Sequence, residues 1–329
     1  MQNTFKAMLL TQEEKRTRHE IVELTRDALP EGDVLVAVEY SSLNYKDAMA
    51  VTGTGKIVRQ FPMVPGIDSA GTVLESASPA YKPGDKVILT GWSVGERYWG
   101  GYSQQQRVKA EWLVPMAEGL DSLRAMTIGT AGLTAMLCVM ALQEAGVTSG
   151  KVLVTGASGG VGSVAVTLLA KLGYHVIALS QDPENTRDYL TGLGAAEVLG
   201  GPEWSEKPAA LGGQRWAGVV DVVGGNVLAR AIAETEYGGA VAACGLAGGV
   251  GLETTVMPFI LRGVRLLGVD SVMCPVPRRV AAWARLAKEL PESAHNQIQR
   301  VVSLNEVQAL AAEMMAGKSR GRVVVDVNR

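Results

Sequence analysis

The segment Lys151-Val-Leu-Val-Thr-Gly-Ala-Ser-Gly-Gly-Val-Gly-Ser163 constrains this chain more than any other. Val152–Thr155 is apolar and β-branched, as a buried parallel strand is. Ala157-x-Gly159-x-x-Gly162 follows, a dinucleotide fingerprint with alanine in the first glycine position. Gly159 is expected to let the backbone approach a pyrophosphate, and Gly162 to let helix and sheet pack closely. From Val161, the apolar residues Val164, Ala165, Leu168, Leu169 and Leu172 recur at helical spacing, and His175–Leu179 supplies a second strand. Backbone N–H groups at such a helix start attract phosphate, so this βαβ unit predicts a dinucleotide site. An ATPase-type phosphate loop is excluded, because Ser163 follows Gly162 where that motif needs lysine. A ligand-free turn is the alternative, and the complete strand–turn–helix–strand context argues against it.

The 329 residues suffice for two domains, and 47% hydrophobic with 19% charged residues indicates an ordinary globular protein. A net charge of −2 with dispersed Lys and Arg favours neither nucleic acid nor an anionic membrane. No apolar run reaches transmembrane length, the best being Ala131–Leu142, and Met1–Ala7 lacks a signal-peptide core. Cys138, Cys244 and Cys274 are too far apart to suggest a disulfide framework, which points to a reducing cytoplasm. With only His19, His175 and His295, and no Cys-x-x-Cys, no metal site is expected. The histidines are expected at the surface or at element ends, and the cysteines in the core.

Residues 1–126 read as short strands between turns, among them Asp33–Glu39, Ala70–Leu74 and Asp85–Leu89. A helix is predicted over Ala131–Glu144. The strands Val219–Val223, Ala240–Cys244 and Val264–Val269 then alternate with helices, as in a doubly wound parallel sheet. Arg279–Leu290 reads as a helix, and Arg322–Val327 as a strand returning to the first domain. The fold class is α/β, with a β-rich domain over 1–126 and 276–329 and a Rossmann domain over 127–275.

Seven stretches carry a family resemblance: Ser41–Ala48, Pro65–Thr72, Leu89–Gly95, Trp99–Tyr102, Ile128–Ala135, Cys244–Gly249 and Met257–Gly263. Together they resemble the zinc-free quinone-oxidoreductase branch of the medium-chain dehydrogenase/reductase superfamily, in its AcuI/YhdH (acrylyl-CoA reductase) subfamily. The resemblance implies a GroES-like catalytic domain beside the Rossmann domain. It also implies zinc-independent transfer of hydride from NADPH to the β-carbon of acryloyl-CoA, giving propionyl-CoA. A broad quinone or enone reductase is the first alternative, and a cofactor-binding protein without turnover the second.

By the same resemblance, cofactor contacts fall on Tyr45, Ser158, Gly159, Gly160, Val161, Ser180, Leu246, Ile260 and Ser271. Tyr45 is expected to act in catalysis, with Asn44 the weaker candidate for polarising the substrate carbonyl. Lys46 and Asp47 read as a local ion pair or helix start, and Trp92 and Trp99 as cleft walls or core. Arg322 is weighed between a CoA phosphate and a solvated basic edge with Lys318 and Arg320. The strand Val264–Val269 would be an edge, and the family pairs it across a homodimer. One departure stands out. The turn after the second strand is Ser180-Gln-Asp-Pro183, where the family carries Ser-Gly-Arg, and a second family arginine is replaced near Gly200-Gly201. NADP(H) therefore leads by resemblance, with Arg187 as a substitute cation, and NAD(H) stays open.

Overall fold

A computed structural model describes residues 4–329; Met1–Asn3 of the N-terminal segment discussed above lie outside the described residues. In chain order, β1 (Thr4–Glu13), β2 (Arg16–Thr25) and β3 (Val34–Leu43) lead into α1 (Tyr45–Thr52). Then come β4 (Asp68–Ser76), β5 (Lys86–Thr90), β6 (Gln105–Val108), β7 (Leu113–Pro115) and α2 (Ser122–Glu144). The middle of the chain alternates: β8 (Lys151–Val154), α3 (Gly160–Lys171), β9 (His175–Leu179), α4 (Pro183–Gly192), β10 (Glu197–Leu199), β11 (Trp216–Asp221) and α5 (Gly225–Ala233). It continues with β12 (Thr235–Ala243), α6 (Met257–Arg262) and β13 (Arg265–Gly268). The last elements are α7 (Val276–Glu289), α8 (Glu292–Ile298), β14 (Gln299–Ser303), α9 (Val307–Met315) and β15 (Arg322–Asp326).

The chain divides into two compact units. The first comprises the residues up to Thr130 with Val272–Ala287 and Ile298–Arg329, and the second Ala131–Ser271 with Lys288–Gln297. The first is β-rich. Its seven-stranded sheet runs β14-β15-β3-β4-β5-β7, with β6 also on β3, beside the β1–β2 hairpin. β15 pairs antiparallel with β3 from Val323↔Leu43 to Asp326↔Tyr40, so the C-terminal strand does return to this domain. Its core joins Leu35, Val38, Leu43, Val64, Val323 and Val325.

The second unit carries a six-stranded, all-parallel sheet in the order β10-β9-β8-β11-β12-β13. Counted from its own first strand this is 3-2-1-4-5-6, the dinucleotide-binding arrangement, whose ligand crevice lies where the order reverses between β8 and β11. Leu153, Ile177, Val219 and Val241 fill one face, and the continuous apolar runs follow from burial on both faces.

Three expectations are corrected. α2 starts at Ser122, not Ala131, and its 23 residues are long and apolar enough to cross a membrane by length and composition. It is instead a core helix, with 83% of its most apolar window buried, and non-helical backbone at Gly129 interrupts it. α7 begins at Val276, three residues early, because prolines are tolerated in a first turn whose N–H groups need no partner. His295 is buried, inside α8, while His19 and His175 are exposed.

Candidate active site

In the second unit, Thr155 follows β8 and is fully buried, its Oγ1 donating to Asp221 Oδ1 at 2.7 Å. The chain then turns at Gly156, φ +57°, where a Cβ would lie 2.5 Å from Val222 Cγ2. The left-handed residue thus stands one position before the expected first glycine, which is why Ala157 is accommodated. A Cβ at Gly162 would lie 2.3 Å from the Gly156 carbonyl oxygen, so the close packing of α3 on the turn requires glycine there. At Gly159 a Cβ would meet only that same oxygen, at an ordinary 3.4 Å. Nothing within the protein demands glycine at this position; the approach of a ligand would.

α3 has Gly159 at its N-cap with no side-chain cap, and its first internal bond runs from Ser163 N to Gly159 O. The N–H groups of Gly160, Val161 and Gly162 therefore precede the first intrahelical donor. Ser158, Gly159, Gly160 and Val161 are all partly exposed. An uncapped helix start behind a glycine turn fits a pyrophosphate, which takes up N–H donors and the positive end of the helix dipole.

Asp221 ends β11, fully buried, and also accepts the Gly224 N–H at 2.9 Å. Burial pushes its carboxyl above the ordinary range, against the bonds from Thr155 and Gly224 that favour its charge. Its carbonyl receives the Cys244 N–H at 2.9 Å, and a Cβ on Gly245 would sit 2.3 Å from Val222 O. These contacts carry the loop that presents Leu246, 62% exposed. Sequence reasoning passed over Thr155, Asp221 and Gly224; an acid closing an apolar strand ahead of Gly-Gly was the available signal. Ile260 on α6 is exposed, and Ser271 Oγ pairs with Thr134 Oγ1 at 2.8 Å. Ser180 is buried at the end of β9.

In the first unit, the residue before α1 is the hub of a buried polar network. Asn44 caps the helix in a capping box with Asp47, whose Oδ2 accepts the Asn44 N–H at 2.9 Å. Asp47 Oδ1 accepts the Ile67 N–H at 2.9 Å. The Asn44 carboxamide donates to Asp68 Oδ2 at 2.9 Å and to Ser42 Oγ and Asp47 Oδ2 at 3.1 Å. Arg322, 3% exposed, donates to Asn44 Oδ1 at 3.1 Å, Ser42 Oγ at 3.0 Å and the Thr127 carbonyl at 3.0 Å. Its Nη2 lies 3.9 Å from Asp68 Oδ2. Asp68 also accepts the Thr130 N–H and hydroxyl, at 2.9 and 2.5 Å. The interruption in α2 follows, since a Cβ on Gly129, φ +52°, would lie 2.5 Å from Arg322 Nη2.

Two carboxylates and one guanidinium share this site, and burial together with the Asp68 charge raises the Asp47 carboxyl to about 7. Burial likewise pushes the Tyr102 phenol, which donates to Ser42 O at 3.2 Å, well above its usual range. Arg322 is therefore neither a CoA-phosphate ligand nor part of a solvated edge. Asp47 is a helix start, as expected, but Lys46 pairs with Glu96 at 2.7 Å instead of with Asp47. Both polar atoms of the Asn44 side chain are committed, so a substrate carbonyl could take its N–H only by displacing a protein acceptor. Tyr45, the first residue of α1, is by contrast 46% exposed. Trp92 packs beside Leu89 and Val94 with the buried Arg279 guanidinium 4.8 Å from its ring, and Trp99 donates to Pro62 O at 3.2 Å.

Comparison with known proteins bears on these units directly. Residues 30–118 match the alcohol dehydrogenase GroES-like domain, and 160–289 the zinc-binding dehydrogenase family. The chain is 56% identical to the probable acrylyl-CoA reductase AcuI of Escherichia coli K12, across 98% of this chain and 99% of that one. The chain belongs to the AcuI/YhdH subfamily of medium-chain dehydrogenases/reductases. The YhdH oxidoreductase of Salmonella enterica, solved in complex with NADP, superposes with a TM-score of 0.96 at 53% identity, covering 98% of this chain and 99% of that one. The Bacillus subtilis protein YhfP, solved with NAD bound, gives 0.95 at 41% identity, covering 99% and 100%.

Zinc, which the second family's description names, does not fit this AcuI/YhdH member. Among the described residues no three His, Cys, Asp or Glu side chains gather as a ligand set. Asp47 and Asp68 are engaged by N–H and hydroxyl donors, and a fixed cation, Arg322, already stands beside them.

Proposed function

We propose that this chain reduces the activated C=C bond of acryloyl-CoA to propionyl-CoA, taking hydride from NADPH or NADH. The observation that carries this reading is Tyr45, an accessible phenol on the first residue of a helix whose cap is locked by a buried network. A reduced nicotinamide held there would supply the hydride for the β-carbon and be left oxidised, and the α-carbon would take its proton from solvent. As the hydride arrives, charge builds on the thioester oxygen, and a preorganised O–H donor stabilises that charge more than it does the ground state. Tyr45 is that donor. Asn44 acts mainly by holding the Tyr45 backbone in place. Ser158–Val161 hold the pyrophosphate, with Ser180, Leu246, Ile260 and Ser271 contributing further cofactor contacts.

The reading extends to assembly and compartment. β13 is hydrogen-bonded on one side only, to β12, and Leu261 and Leu266 beside it are exposed. Pairing of this edge with a second copy would cover both the open N–H and C=O groups and the apolar side chains, so a homodimer is the expected form, and the free cysteines Cys138, Cys244 and Cys274 suit a reducing cytoplasm. Light scattering on the eluted protein checks the dimer, and a monomer at micromolar concentration would contradict it. For the reaction, turnover of acryloyl-CoA and of 1,4-benzoquinone should be compared with each nicotinamide donor. Faster thioester reduction is expected; the reverse ranking would make this a general enone reductase.

A further inference from the structure

The loops that follow β9 and β10 form one surface. Ser180 N donates to Leu199 O at 2.9 Å, and a Cβ on Gly200 would lie 2.6 Å from Ser180 O and 2.7 Å from Pro183 Cγ. In a sheet of this order the end of the second strand, here β9, is where the adenosine ribose of a dinucleotide is read. Whether that ribose carries a 2′-phosphate is an electrostatic question. A dianion needs cations or free N–H donors, whereas a diol needs neither.

Neither loop carries a cation of its own, and Arg230, which reaches the second loop from α5, is committed to the Glu203 carbonyl at 2.7 Å and to Glu234 at 3.5 Å. Residues 180–186 and 200–206 contain no Lys or Arg, but they contain Asp182, Glu184, Glu203 and Glu206. Arg187 is the first cation beyond the turn, exposed on the second turn of α4, and Lys207 is drawn to Glu253 at 3.3 Å. The start of α4 is closed as an anion site as well. Pro183 has no N–H, and Asp182 is the N-cap, its Oδ1 accepting Asn185 N at 3.2 Å and its Oδ2 the Asn185 side chain at 2.8 Å. A carboxylate thus occupies the place where a phosphate would meet the helix dipole. On the other loop, Glu203 folds over Gly201, where a Cβ would lie 2.1 Å from its Oε2. Asp182 itself is held by capping, so it acts on an incoming phosphate by charge and not as a ribose ligand. Gln181, exposed and neutral, stands between Ser180 and this cap.

We infer that Gln181, Asp182 and Glu203 set the cofactor specificity of this chain, and that it binds NAD(H) at least as tightly as NADP(H). The inference rests on the dinucleotide reading of the glycine turn, and the experiment separates the two. Dissociation constants of NAD+ and NADP+ are measured by isothermal titration calorimetry on the purified, cofactor-free protein, its Gln181→Arg variant and its Asp182→Ser variant. Serine keeps an N-cap acceptor while removing the charge.

NAD+ binding equal to or tighter than NADP+ binding is expected in the natural chain. Gln181→Arg should tighten NADP+ by about tenfold, the value of one charge-assisted contact, and Asp182→Ser by a smaller factor, with NAD+ moving less than about twofold in both. NADP+ binding more than about threefold tighter than NAD+ in the natural chain would overturn the inference. So would the failure of both variants to change NADP+ affinity. If neither nucleotide binds, the dinucleotide reading itself fails.

Discussion

Asp47 offers the sharpest test of the buried network beneath Tyr45. Its carboxyl is fully enclosed, with Asp68 as a neighbouring charge, and its pKa rises from 3.8 to about 7. The native chain therefore keeps a proton that the unfolded chain releases between about pH 4 and pH 7. Where the native state binds more protons, stability falls as pH rises, so Asp47 favours folding at low pH and this contribution is lost up to about pH 7. Above that both states are ionised and the contribution levels off. With these two pKa values the loss between pH 5 and pH 8 comes to about 2.6 kcal/mol, and over the whole window to about 4 kcal/mol. The assay is urea unfolding of the natural chain and Asp47→Asn at pH 5 and pH 8. The amide forfeits an acceptor for Asn44 or Ile67, but that penalty does not change with pH and cancels in the comparison. Other buried acids such as Asp221 cancel in the same way. The natural chain should lose about 2–3 kcal/mol more than the variant between the two pH values; equal losses would refute the protonated network.

Arg322→Met removes the only guanidinium in that network and leaves Asp68 and Ser42 without their cationic partner. A cost of about 3–5 kcal/mol is expected, read from urea midpoints. Gly162→Ala places a methyl 2.3 Å from the Gly156 carbonyl and should displace the turn, abolishing dinucleotide binding by calorimetry while the far-ultraviolet circular dichroism is kept. Tyr45→Phe should lower kcat about 100-fold if its hydroxyl stabilises the developing oxyanion. The melting temperature should not move, because the side chain is half exposed.

The parts of this molecule that were legible in advance depend on contacts near in sequence. The βα turn from Lys151 to Ser163 encodes its own strand, reversal and helix, and the alternation of apolar strands with helices implied the parallel sheet. The exact turn residue was misplaced by one. A fingerprint describes spacing, whereas the left-handed position is set by the approach of Val222, which follows the neighbouring strand β11. The length of α2 was underestimated for a related reason. Glycine and threonine at 129 and 130 look like helix breakers, yet the chain continues through them because Asp68 accepts the N–H that the interruption frees.

Arg322 shows why the rest was hidden. Beside Lys318 and Arg320 it looks like one more surface cation, and nothing within ten residues suggests otherwise. Its acceptors Ser42 and Asn44 lie about 280 residues away, brought near only because β15 pairs with β3 in a register that sets Val323 against Leu43. That register makes the C-terminal strand part of the support for Tyr45. The phenol that we assign to oxyanion stabilisation is therefore positioned by both ends of the chain. The cofactor loops show the opposite economy: Asp182 makes every contact described for it within four residues, so its role as a cap was local and its effect on specificity is one of charge alone. A network built from distant partners is broken by one substitution but not rebuilt by one, whereas a local charge can be exchanged at little cost to the fold. For that reason cofactor preference in this fold should change far more readily than the catalytic support around Asn44 and Asp68.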